Sequence, residues 1–296
     1  MRIVSLLPSA TEIVFGLGLG DELVGVTHEC DYPAEAMSKP RVTSTALPPE
    51  ARTSREIDDG INRLLDEGQS IYHLDRDLLE RLQPDLILTQ ELCDVCAVAY
   101  SEVNRVAATV SSRPRVVSLE PNNIEQVLDS ILQVGGLTGR SKRAEEYVAA
   151  LRWRLEAVAA LTASVARRPR VYCMEWLAPP MRAGHWIPEM VELAGGEESF
   201  GNRDEPSTKT TWAEIEAYAP EVIVLMPCGY DLPRTLVEAS SMRFPANKVW
   251  AVNGSAYFSR PGPRLVEGVE ILAHILGRTP PLFEERGLGA ECSLLP

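Results

Sequence analysis

The sequence predicts an α/β fold of two similar lobes with parallel sheets, joined by one long helix. Three observations carry this reading. Short apolar runs bounded by Pro or Gly alternate with segments of helical spacing, the pattern of parallel βαβ units. The series of the first half is replayed in the second. Between the two series lies a stretch of helical apolar spacing with no internal Gly or Pro.

Arg2-Ile3-Val4-Ser5-Leu6 reads as a buried strand bounded by Pro8. Ser9 is placed to cap the next helix, with Glu12 three residues on and Ile13, Val14 and Leu17 as its apolar face. Gly18 and Gly20 end it. Two further strands follow, Pro84-Asp85-Leu86-Ile87-Leu88 and Arg115-Val116-Val117-Ser118-Leu119. The replay begins with Arg170-Val171-Tyr172-Cys173-Met174. A helix from Pro188 to Leu193 stops at Gly195-Gly196. The strands Pro220–Leu225 and Lys248–Val252 match the Pro84 and Arg115 strands. The connecting segment, Ser141 to about Ala166, carries Ala144, Val148, Leu151, Leu155, Val158 and Leu161 at helical spacing. At the α-helical rise it makes a rod of roughly 35–40 Å. The expected divisions are an N-terminal lobe over 1–139, a linking helix over 140–167 and a C-terminal lobe over 168–296.

Bulk properties narrow the function. The chain of 296 residues is 45% hydrophobic and 24% charged, an ordinary globular balance that suits two lobes. A net charge of −13 excludes a nucleic-acid partner, which needs clustered Lys and Arg. No apolar run approaches the ~18 residues of a membrane span. Met1-Arg2 leads directly into the first strand, so no secretory signal is visible. The expected location is the cytoplasm, or an extracytoplasmic compartment if a leader has been removed. Six cysteines are too few for a disulfide scaffold. Gly16, Gly18 and Gly20 fail the dinucleotide spacing, and Gly135–Lys142 lacks the ending of a phosphate-binding loop. No nucleophile elbow or zinc-protease helix occurs. An enzyme is not expected; on this scaffold Glu29, Glu91 or Glu175 would be the acid or base.

Open parallel sheets bind ligands outside the carboxyl ends of their strands. The loops to inspect are Pro8–Thr11, Thr27–Tyr32, Gln90–Tyr100, Glu120–Asn123, Glu175–Trp186, Pro227–Asp231 and Asn253–Arg264. In the first half they hold Thr27-His28-Glu29-Cys30 and Gln90-Glu91-Leu92-Cys93-Asp94-Val95-Cys96. Cys93 and Cys96 can place two thiolates on one zinc or iron ion, with His28 and Cys30 completing a tetrahedral set. The same pair can form a redox disulfide, or simply pack a loop. In the second half stand Glu175, Trp176, His185 and Trp186. Two Trp flanking one loop suit a flat, partly apolar ligand, although either can equally be a core residue. His185 can reach a metal within a ligand. Tyr257-Phe258-Ser259-Arg260-Pro261-Gly262-Pro263-Arg264 suits an anionic, partly flat ligand.

These residues carry a resemblance. The opening Arg2–Glu12, the Asp31-Tyr32-Pro33 turn, Pro84–Ile87, Gly195-Gly196 and the Tyr257–Arg264 loop together resemble the periplasmic-binding domain of the cobalamin and iron-siderophore ABC importers. The similarity runs from about Arg2 to Leu276 and is nearest to the cobalamin-binding members. It implies two Rossmann-like lobes joined by one long helix, with a corrinoid or related metal chelate held between them by aromatic residues. It implies no required cofactor, a monomer, and a permease of an ABC transporter as partner. The first-lobe aromatic of the family falls on Glu29 and the second-lobe loop aromatic on Tyr257. The pocket flank falls within Glu91–Cys96, and the second-lobe strand end on Glu175 and Trp176. Three features depart from the pattern. Glu29 replaces an aromatic, a cysteine pair occupies a pocket loop, and about twenty extra residues, roughly Thr45 to Ser70, interrupt the first lobe. The permease-docking glutamates fall on Asp77 and Ala213, with Glu214 adjacent. A competing reading is a cytoplasmic protein that binds a metal ion or thiol-reactive ligand through His28, Cys30, Cys93 and Cys96.

Overall fold

The computed structural model describes residues 1–47, 53–91, 98, 100–281 and 283–295. The chain divides into two compact units. The division falls between Val148 and Ala149, inside a helix, and two short pieces, Thr53–Arg55 and Asn122–Val127, belong with the second unit.

The first unit opens with β1 (Ile3–Ser5), α1 (Pro8–Gly16) and β2 (Leu23–Val26). Pro8 does not merely close β1. It sits in the first turn of α1, where its missing N–H costs nothing, so the helix starts before Ser9 and no side chain caps it. The expected face of Ile13, Val14 and Leu17 is buried. Next come β3 (Thr43–Thr45), α2 (Ser54–Asp66), β4 (Tyr72–Leu74), α3 (Arg76–Leu82), β5 (Leu86–Thr89), α4 (Tyr100–Ala107) and β6 (Arg115–Ser118). The main sheet is wholly parallel in the order β2-β1-β5-β6, with Ile3 opposite Leu86 and Ile87 opposite Val116. β1 and β5 are buried along their whole length, which is why their sequences are continuous apolar runs rather than alternating ones. The extra segment is bracketed by a separate antiparallel ribbon of β3 and β4.

Helices α5 (Ile124–Leu137) and α6 (Ser141–Thr162) follow. The Gly135-Gly136 pair lies inside α5. A Cβ on Gly135 would stand 2.4 Å from the Ala144 Cβ, so glycine is required there by close packing and not by a phosphate. The unbroken stretch expected from Ser141 becomes α6, a helix of 22 residues.

The second unit contains β7 (Val171–Trp176), β8 (Met181–Arg182), β9 (Gly184–His185), α7 (Ile187–Leu193), β10 (Asn202–Arg203), β11 (Thr208–Lys209), α8 (Trp212–Tyr218) and β12 (Val222–Leu225). It closes with α9 (Leu232–Ala239), β13 (Lys248–Val252), α10 (Gly254–Tyr257), α11 (Leu265–Ile275) and β14 (Cys292–Leu294). Its sheet runs β11-β8-β7-β12-β13-β14. The parallel centre β7-β12-β13 repeats β1-β5-β6, as the replayed strands predict. Three antiparallel edges are additions. β8 and β11 extend one side, and β14 pairs with β13 on the other. The residues around Cys292 thus form an edge strand. Cys173 lies in the core, fully buried beside Tyr172 and Met174.

Candidate functional site

In the first unit the turn after β2 is built on Thr43 of β3. The Thr43 hydroxyl lies 2.8 Å from Thr27 Oγ1 and 2.8 Å from His28 Nδ1, and it accepts the His28 backbone N–H at 3.0 Å. The imidazole also packs on Tyr72 of β4, at 5.5 Å between ring centroids. The ribbon that brackets the extra segment therefore orients His28. With Nδ1 held by Thr43, Nε2 is left facing Glu29 at 3.2 Å. Glu29 is exposed. Cys30 turns the other way. It is 1% exposed, with its sulfur 3.1 Å from the Thr11 hydroxyl, which in turn donates to Ser5. His28 and Cys30 thus face different surroundings.

Glu91 is exposed, and its backbone N–H donates to Glu120 at 2.7 Å. The Ser118 hydroxyl donates to the same oxygen, tying the start of this loop to the end of β6. Cys93 and Cys96 lie outside the described residues. Among the described residues no three His, Cys, Asp or Glu side chains are grouped to hold a metal ion.

In the second unit Glu175 and Trp176 are the last residues of β7. The Trp176 indole N–H donates to the Ser54 carbonyl at 3.2 Å, and its ring meets the Tyr230 ring edge-on at 5.6 Å. Tyr230, 1% exposed, stands in the expected Pro227–Asp231 loop but was not singled out by the sequence. Its hydroxyl donates to Glu238 of α9 at 2.9 Å. Nothing in the sequence marks Glu238, which is one carboxylate on an ordinary helix.

Glu175 accepts the Ser207 hydroxyl and the Gly184 N–H, yet burial pushes its pKa up to about 7. A second carboxylate, Glu198, is 6% exposed and takes the Gly201 N–H on both oxygens, at 2.9 and 2.8 Å. Burial raises it to about 7 as well, and the neighbouring Glu175 adds to that rise. Glycine is required beside these groups by close backbone packing: a Cβ on Gly184 would lie 2.4 Å from the Glu205 carbonyl, and one on Gly201 would lie 2.7 Å from the Ala183 carbonyl. Such carboxylates stay partly protonated near neutral pH and can donate as well as accept a hydrogen bond.

The remaining expected contacts are more enclosed. His185 has a left-handed backbone (φ 52°), lies 3.2 Å from Asn122 through Nδ1 and stacks on Trp186 at 5.3 Å. Burial lowers its pKa, which favours the neutral ring. Trp186 is 6% exposed and donates its indole N–H to the Phe258 carbonyl at 2.8 Å. It packs in the core, so it does not present the open face expected for stacking. Arg260 is 9% exposed and donates to the Ser255 hydroxyl at 3.0 Å. Its guanidinium is engaged within the loop and is not held out for an anion. Tyr257 is partly buried under the Arg264 guanidinium, 5.5 Å from the ring centre. A groove of about 460 Å³ runs along α7 between Thr162, Arg168, Glu189 and Arg203, and it includes neither Glu175 nor Trp176.

Residues 3–243 match the sequence profile of the periplasmic binding protein family. The chain belongs to this family. The vitamin B12-binding protein of Vibrio cholerae is 24% identical over 276 residues, covering 91% of this chain and 86% of that one. An uncharacterized ABC transporter substrate-binding lipoprotein of Bacillus subtilis is 23% identical over 302 residues, covering 96% and 82%. Among solved structures, a periplasmic heme-binding protein from Pseudomonas aeruginosa superposes with a TM-score of 0.69 at 18% identity, over 94% of each chain. At that identity the likeness establishes the fold. For a periplasmic binding protein, the carboxyl-end loops of the two parallel sheets are the expected site. In this member those loops hold Trp176 against Tyr230 in the second unit, and His28 beside Glu29 in the first.

Proposed function

We propose that this chain is the solute-binding component of an importer and that it takes a corrinoid, or a related metal chelate, by stacking and burial without covalent chemistry. The observation that carries the reading is Trp176. It ends the central strand β7, and its ring is held by Tyr230 and Ser54. An aromatic ring at the end of a parallel strand binds a flat macrocycle by area burial and stacking. The relatives support the ligand class, since their names include vitamin B12-binding and heme-binding proteins. They are binding proteins, not enzymes.

Calorimetric titration with cyanocobalamin and cobinamide tests the reading. Micromolar or tighter binding is expected, weakened about tenfold or more by Trp176→Ala, in line with the loss of a stacked aromatic anchor. Absence of binding by both compounds, and by heme, would overturn it.

A permease partner is part of this proposal. Asp77 is exposed in the first turn of α3. Glu214 is more constrained: it closes a capping box with Thr211, accepts the Thr210 hydroxyl and pairs with Arg182 at 3.3 Å. These bonds hold its carboxyl below the usual range. Asp77 is therefore the stronger docking contact of the two. The family description supports capture outside the cytoplasm. Cell fractionation checks this, and recovery in the cytoplasmic fraction would restore the expectation read from the opening residues.

A further inference from the structure

The group that fixes Trp176 is not on its own loop. Ser54, the first residue of α2, is fully buried and belongs to the second unit with Trp176. Its carbonyl accepts the Trp176 indole N–H. Its own N–H lies 3.1 and 3.0 Å from the two oxygens of Glu238, and its hydroxyl donates to Glu238 Oε1. The Tyr230 hydroxyl donates to Glu238 Oε2. One N–H and two O–H groups thus converge on a single carboxylate. An ionised carboxylate is acceptor-only and suits all three, whereas a glutamine would turn an NH2 donor toward at least one of them. Glu238 therefore touches both groups that hold Trp176: Ser54, which takes its N–H, and Tyr230, which packs its ring.

We propose that Glu238 is the positioning residue of the ligand site. Through Ser54 and Tyr230 it sets the orientation of the Trp176 ring, so affinity for a flat ligand depends on a carboxylate whose oxygens are occupied by protein donors. This rests on the reading that Trp176 stacks on the ligand. The rival account is a helix cap that serves stability alone.

The two accounts separate in a double-mutant cycle with cyanocobalamin as probe. Glu238→Gln should weaken binding about tenfold, and adding it to Trp176→Phe, which has no indole N–H, should change affinity by less than about twofold. An unchanged affinity in Glu238→Gln, or the same loss in both backgrounds, would overturn the proposal. A second readout needs no ligand. In the 15N spectrum the indole N–H signal of Trp176, assigned by its loss in Trp176→Phe, should move in Glu238→Gln while that of Trp186 stays in place. A stationary Trp176 signal overturns the positioning role even if wild-type protein fails to bind cyanocobalamin, a result that would sink the ligand reading alone. Should Glu238→Gln not fold, Ser54→Ala removes only the hydroxyl donor and should move the same signal by a smaller amount.

Discussion

Glu175 and Glu198 are carboxylates whose burial outweighs the hydrogen bonds they accept. Both are raised from 4.5 to about 7, so the folded protein holds these protons more tightly than the unfolded chain does. Stability must then fall as pH rises through the interval from about 4.5 to 7, because the folded state binds more protons there. At 1.36 kcal/mol per unit, the effect is on the order of a few kcal/mol, shared between two groups that repel each other. Urea midpoints measured from pH 5 to pH 8 should therefore decline. Glu175→Gln should flatten that decline and leave the protein more stable than wild type at pH 8; a midpoint that rises with pH in wild type would refute the assignment. Glu175 was legible in the sequence as a polar residue ending a buried strand. Glu198 was not, since a glutamate in a polar loop carries no mark of the Gly201 N–H that will enclose it.

Among the elements, α6 and α11 show how a long amphipathic helix is fastened within the second unit. Arg154 of α6 donates through Nε and one terminal nitrogen to Glu270 of α11, at 2.9 and 2.7 Å, and through the other to Glu267 at 2.9 Å. Glu270 is 3% exposed. Burial works against the charge, but the hydrogen bonds and negative charges of Glu270 and Glu267 together outweigh it and hold the guanidinium pKa above its usual value. Removing one partner of a buried pair leaves the other charge uncompensated, which costs about 3–5 kcal/mol. Arg154→Met should lower the urea midpoint by an amount of that order with an unchanged slope; a loss under about 1 kcal/mol would show that the pair is solvated. The α6 helix itself was readable from its unbroken apolar spacing. The antiparallel edges β8, β11 and β14 were not, because strands of two or three residues have too few positions to display a period.

For the whole molecule, a ligand that binds only the folded state stabilises it by mass action, by about 2.7 kcal/mol at a hundredfold excess over Kd. Cyanocobalamin should thus raise the thermal midpoint of the wild-type protein in a concentration-dependent way and raise that of Trp176→Ala by about half as much or less at the same concentration. A shift of equal size in both would place the ligand elsewhere. The parallel strands, their replay in the second half, the long helix and the loops at the strand ends all followed from the sequence alone. Burial on both faces of a strand and the spacing of an apolar helix face are local patterns, and chain direction then dictates which loops lie at the carboxyl ends. Which side chains of those loops are available to a ligand was decided only by the tertiary structure. Trp176 and Trp186 look alike in sequence, yet one takes its partner from Ser54, 122 positions away, and the other is drawn into the core by Phe258, 72 positions away. Cys30 and His28, two residues apart, diverge because Thr11 and Thr43 capture them on different elements. Partners so far apart in the chain are brought together by folding, and no local pattern records them.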